Sequence, residues 1–98
     1  MTINKNTEGS KLTLALSGRL DTTTAPELEE FVQSSLAGVI DLVLDLSNLE
    51  YISSAGLRVL LSAQKIMNKQ GSMVVTGANE IVMEVFEVTG FDEILTLE

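Results

Sequence analysis

The chain has 98 residues, 45% of them apolar, with 14 acidic against 6 basic side chains and a net charge of −8 at pH 7. Without Cys or His it has no thiol nucleophile, disulfide, thiolate zinc site or imidazole base. Its basic residues (Lys5, Lys11, Arg19, Arg58, Lys65, Lys69) are scattered, so no basic footprint offers itself to nucleic acid or an anionic membrane.

Residues 2–7 read as a short edge strand. Residues 11–17 alternate apolar with polar or small residues, the period of a half-buried strand, and Gly18 is expected to break it. The short Thr7–Ser10 connection predicts a hairpin. Over residues 25–37 the spacing of Leu28, Phe31, Val32 and Leu36 predicts a helix. Thr24 with Glu27 fits a capping box, Pro26 falls in the first turn where its missing N–H does no harm, and Gly38 fits the C′ position.

Residues 39–46 are nearly all apolar apart from Asp41 and Asp45, which predicts a central strand; Ser47–Tyr51 read as a loop. A helix over 55–69 follows, with Leu57, Leu60, Leu61, Ile66 and Met67 inward and Gln70-Gly71 at its end. Ser72–Thr76 read as a buried strand. A third helix over about 80–88 turns Ile81, Val82, Val85, Phe86 and Val88 inward, with Gly90 at its end and Phe91 packed beyond it. Residues 93–97 suit a last short strand. The order β-β-α-β-α-β-α-β gives a single α/β domain over residues 1–98: a mixed sheet whose later strands pair in parallel, covered by helices.

Chemistry concentrates at Ser53 and Ser54. Both hydroxyls fall where the second helix starts, at unpaired backbone N–H groups and the positive end of the helix dipole. Ser54 suits an N-cap, and the same place would stabilise a phosphate. Arg58, four residues on, is within helical reach of such a phosphate but suits a solvated helix face equally. Asp21 opens the segment Asp21–Thr24, where its simplest role is to cap a turn. Met67, Met73 and Met83 suit gaps in the core. No nucleophile–base pair and no phosphate-binding Gly loop is present. A receiver-type phosphoacceptor at Asp45 lacks the Lys such a site needs near Val75-Thr76-Gly77.

The run Asp45-Leu46-Ser47-Asn48-Leu49-Glu50-Tyr51-Ile52-Ser53-Ser54-Ala55-Gly56-Leu57-Arg58-Val59-Leu60 resembles the signature of STAS domains, the anti-sigma factor antagonists, and Ser17-Gly18-Arg19-Leu20-Asp21 resembles their second signature. The resemblance covers essentially the whole chain. It implies a single-domain STAS-like α/β fold, with a mixed central sheet of four to five strands and three or more helices. It also implies a non-enzymatic, cofactor-free cytoplasmic module. By resemblance, this module binds an anti-sigma factor that is also a serine kinase, and so frees a sigma factor. Phosphorylation of Ser54 (alternatively Ser53) would end binding, and a PP2C-like metal-dependent serine phosphatase would restore it. Asp21, Thr22, Ser53, Ser54, Gly56, Leu57 and Arg58 would then form the partner-binding set. The family's best-known members carry Asp directly before the phosphorylated Ser, where this chain has Ser53. A second implied role is a STAS subunit of a membrane lipid-transport ABC complex. Neither role involves nucleic acid or insertion into the membrane: no apolar run is long enough to span, and Met1–Lys5 lacks a signal-peptide core.

Overall fold

The computed structural model describes residues 1–98. Strands β1 (Thr2–Glu8) and β2 (Lys11–Leu20) form the antiparallel hairpin, turning at Gly9-Ser10 with Gly9 at φ +60°. Helix α1 (Ala25–Ser35), strand β3 (Asp41–Ile52), helix α2 (Ser54–Gln70), strand β4 (Ser72–Thr76) and helix α3 (Glu80–Thr89) follow. The sheet order is β1-β2-β3-β4, with β2, β3 and β4 parallel. This is a mixed four-stranded sheet with three helices, within the four to five strands and three or more helices expected.

Burial shows which face the helices cover. Leu12, Leu14 and Leu16 of β2, Leu42, Leu44 and Leu46 of β3, and Met73 and Val75 of β4 are all buried. The alternate positions Thr13, Ala15, Val43, Asp45, Val74 and Thr76 stay half-exposed. Successive right-handed crossovers in one direction put the helices on one side, so one face builds the core and the other meets water. Leu28 and Val32 from α1, Leu36 just beyond its end, Leu60 and Met67 from α2, and Val82 and Phe86 from α3 complete the core.

Several boundaries differ from the sequence reading, each for a local reason. Gly18 does not end β2: the strand continues through it to Leu20, and its φ of +94° is a backbone conformation that would strain any other residue, although a Cβ there would meet Met1 backbone only at ordinary contact distance. Ser47–Tyr51 is strand. Two register shifts, between Ala15 and Ser17 and between Gly18 and Arg19, give β3 an extra residue each time and carry it to Ile52. Ser47 N–H donates to Asp45 Oδ1 at 3.0 Å, as does the Ser47 hydroxyl, satisfying polar groups at the first shift.

The Thr24–Glu27 capping box does not form. Thr24 is in the αR region with no side-chain cap bond, and its hydroxyl donates to the Arg19 carbonyl at 2.8 Å. α1 ends at Ser35, and Gly38 (φ +80°) serves the following turn. In α2, Leu61 and Ile66 are only half-buried, while Val59, Ala63 and Gln64 are buried. In α3 the inward side is Val82 and Phe86; Ile81 and Val88 are exposed and Val85 is half-buried. The final strand reduces to a single parallel bridge between Val75 and Leu97, preceded by a short 3-10 helix at Phe91–Glu93. Gly90 ends α3 in the left-handed conformation, and Phe91 packs on the core.

Candidate functional site

β2 and β3 end side by side, Leu20 in register with Ile52, and Ser53 N–H donates to the Leu20 carbonyl at 2.9 Å. Two segments therefore emerge together from the carboxyl ends of adjacent parallel strands: Asp21–Thr24, leading into α1, and Ser53-Ser54, opening α2. This is the end of an open α/β sheet at which ligands and partners are commonly received.

The Asp21 turn is held by its own side chains. Asp21 Oδ1 accepts from Thr23 N–H at 3.0 Å, from the Thr23 hydroxyl at 2.7 Å and from Thr24 N–H at 3.3 Å. In return Asp21 N–H donates to Thr24 Oγ1 at 2.9 Å. The bond from the Thr23 hydroxyl, helped by the backbone donors, outweighs burial and holds the Asp21 carboxyl below the usual carboxylate range. Arg19 Nε lies 3.8 Å from Asp21 Oδ2, and its guanidinium sits 4.6 Å from the Tyr51 ring centroid. Arg19 and Tyr51 are register partners across β2 and β3. Their contact beside the Asp21 turn was missing from the sequence reading, because only a β3 that runs to Ile52 brings Tyr51 opposite Arg19.

At the start of α2 the two serines have separate jobs. Ser53, in extended backbone, is the N-cap, its hydroxyl accepting from Gly56 N–H at 3.4 Å. The capping role assigned to Ser54 therefore belongs to Ser53. Ser54 is the first helical residue and is exposed. Its hydroxyl sits at the positive end of a 17-residue helix, where negative charge is stabilised.

The remaining residues of the set divide by side. Arg58 is exposed, and Thr22 and Arg58 share an open groove of about 330 Å³ between α1 and α2, with Pro26, Glu29, Ala55 and Ser62. Gly56 and Leu57 turn inward and present no surface. A Cβ on Gly56 would lie 2.7 Å from Leu20 Cγ and 2.9 Å from Ile52 Cγ1, so Gly56 lets α2 start directly against the two strand ends. The structure thus gathers Asp21, Thr22, Ser53, Ser54 and Arg58 on one surface, with Gly56 and Leu57 as its support.

Known proteins share this fold. The family profile described as "Mlab, STAS domain" matches residues 3–97. BtrV of Bordetella bronchiseptica, provisionally named an anti-sigma factor antagonist, is 42% identical over 86 residues, covering 82% of this chain and 71% of BtrV. The anti-sigma-B factor antagonist of Staphylococcus aureus is 27% identical over 97 residues, covering 97% of this chain and 90% of that protein. The crystal structure of an anti-sigma factor antagonist from Mycobacterium paratuberculosis superposes with a TM-score of 0.89 at 27% identity, covering 98% of this chain and 83% of that one.

Proposed function

The chain belongs to the STAS domain family, a family of regulatory domains and not of enzymes, and from that membership we propose that it is an anti-sigma factor antagonist switched by phosphorylation of Ser54. Unmodified, it binds an anti-sigma factor with serine-kinase activity and frees the sigma factor. The kinase transfers a phosphoryl group to Ser54 Oγ, the complex parts, and a metal-dependent serine phosphatase resets it.

The observation that carries this reading is the exposure of Ser54 at the opening of α2, beside the Asp21 turn, in a chain 42% identical to a relative bearing the antagonist name. Exposure matters because a kinase must reach the hydroxyl. Ser53 is a poorer acceptor, since its hydroxyl is held by Gly56 N–H. The departure at Ser53 is also intelligible. Asp and Ser cap helices about equally well, so Ser53 caps α2 as an Asp would, without placing a negative charge beside the acceptor.

Phosphate adds about −1.5 to −2 charges at pH 7. At a helix N-terminus that charge is stabilised by roughly 0.3–1 kcal/mol, up to about 2 in a favourable site. The switch therefore leaves the fold standing and acts on the interface through bulk and charge.

The test is phosphosite mapping of the protein from its own cells, by intact mass and then peptide sequencing across Asn48–Lys69. A single phosphate on Ser54 is expected. A phosphate on Ser53 moves the acceptor by one residue. Its absence through growth and stress overturns the reading in favour of a STAS subunit of a membrane transport assembly.

A further inference from the structure

α3 carries an apolar stripe that the core uses only at its middle, where half-buried Val85 packs against it. Ile81, Val85 and Val88 fall at i, i+4 and i+7, on one side of the helix. Ile81 and Val88 remain 58% and 80% exposed. With Glu84 and Thr89 the three line a shallow groove of about 240 Å³. Val82 and Phe86, on the other side, anchor the helix to the core. The exposed ends of the stripe, Ile81 and Val88, are thus dispensable for holding α3 in place.

The charge around the stripe has one sign. Glu80, Glu84 and Glu87 share the helix, Asp92 and Glu93 follow it, and no Lys or Arg occurs after Lys69. None of these carboxylates is in an ion pair, the close pair in the chain being Arg19–Asp21. A second copy presenting the same face would set carboxylate against carboxylate, and an anionic lipid surface is repelled. A partner segment with apolar residues at helical spacing and Lys or Arg beside them is complementary in both respects. Its apolar face would cover Ile81, Val85 and Val88, and its cations would meet the glutamates and fix orientation and association rate.

We propose that the exposed face of α3 docks a basic amphipathic segment of a partner protein, at a place separate from the Ser54 surface. The inference does not rest on the phosphorylation reading, because no groove residue belongs to α2 or to the Asp21 turn.

The experiment titrates the full ¹⁵N-labelled chain with a Leu/Lys helical peptide, apolar at i, i+3, i+4 and i+7, and with a Leu/Glu peptide of the same design. The Leu/Lys peptide is expected to shift the amides of Ile81, Glu84, Val85 and Val88, and to bind more weakly as salt rises; the Leu/Glu peptide leaves them in place. Ile81→Ser combined with Val88→Ser lowers affinity by about tenfold or more, with thermal unfolding little changed. Ser54→Asp leaves peptide binding intact, which separates this proposal from the switch. The proposal is overturned by shifts centred elsewhere or spread over the whole acidic surface, by an equal response to the Leu/Glu peptide, or by indifference to the double substitution. A concentration-dependent dimer whose contacts map to Ile81 and Val88 overturns it as well.

Discussion

The backbone N–H of Ser53 donates to the carbonyl of Leu20 at 2.9 Å, which joins the end of β3 to the end of β2 and sets the Asp21 turn beside the opening of α2. From that bond the chain moves directly into the helix: Ser53 O accepts from Leu57 N–H at 2.9 Å, and Ser53 Oγ from Gly56 N–H at 3.4 Å. Ser54, one residue further, is left facing solvent.

Neighbouring serines should therefore answer differently to alanine. Ser53→Ala removes the cap and should cost about 0.5–1 kcal/mol, the lower part of the usual range because the bond is long. In a domain of this size that lowers Tm by a few degrees. Ser54→Ala should stay within about 0.5 kcal/mol of the parent. Thermal melts of the two variants check the assignment, and a larger loss at Ser54 would return the cap to that residue.

Phosphorylation should separate binding from stability at the same place. Ser54→Asp is expected to weaken binding to the kinase partner by about tenfold or more, while Tm changes by no more than a few degrees, since negative charge suits a helix N-terminus. Isothermal titration alongside a melt reads both quantities. Binding as tight as that of the unmodified chain would remove Ser54 from the switch.

Two glycines hold backbone close to its neighbours, and their substitution should rank by what the new methyl meets. In Gly56→Ala the Cβ meets Leu20 and Ile52 side chains at 2.7 and 2.9 Å, groups that can shift, so a loss of about 1–3 kcal/mol is expected. In Gly71→Ala the Cβ would overlap the Ile40 carbonyl oxygen, and Ser72 N–H bonds to that same carbonyl at 2.8 Å. Backbone in a ladder cannot yield, so Gly71→Ala should be the more damaging of the two in urea unfolding.

The pattern of the sequence carries the architecture because β2, β3 and β4 alternate or run apolar over their buried stretches, and α2 stops at Gln70-Gly71 as its sequence indicates. Where it misleads, long-range geometry decides. Ser47-Asn48 interrupts the alternation of β3, and only pairing with β2 through the two register shifts turns that interruption into strand. Thr24 and Glu27 have the spacing of a capping box, but Asp21 and Arg19 claim the Thr24 hydroxyl first. In α3 six apolar residues in the eight from Ile81 to Val88 give no single stripe, so the sequence alone does not say which ones the sheet will take. Ser54 was legible as a helix-start hydroxyl; its division of labour with Ser53 depends on where the helix actually begins.

That ambiguity in α3 has a direct test. Phe86 is fully buried and Val88 is 80% exposed, two residues apart on one helix. Phe86→Ala should cost about 3–5 kcal/mol through lost burial and the cavity left behind. Val88→Ala should lie within about 0.5 kcal/mol of zero. Comparable losses in chemical denaturation would mean that α3 is rotated from the position described.

Acid should act on the protein through two turn carboxylates. Asp21 and Asp45 are both held below the usual carboxylate range, chiefly by the hydroxyls of Thr23 and Ser47 respectively, which favour the charged form against a smaller opposing effect of burial. A carboxyl with a lowered folded pKa binds fewer protons folded than unfolded, so stability rises with pH across the interval between the two values. Its contribution is complete above the ordinary Asp value of about 3.9 and disappears as pH falls through the lowered folded value. Both groups are half-exposed, so the contribution of each is small and screened by solvent. Urea midpoints measured from pH 6 downward should therefore fall below about pH 4, and Asp21→Asn with Asp45→Asn should flatten that acid limb. An acid limb unchanged by the double substitution would place the acid sensitivity on other carboxylates and leave these two hydrogen-bonded turns without a role in it.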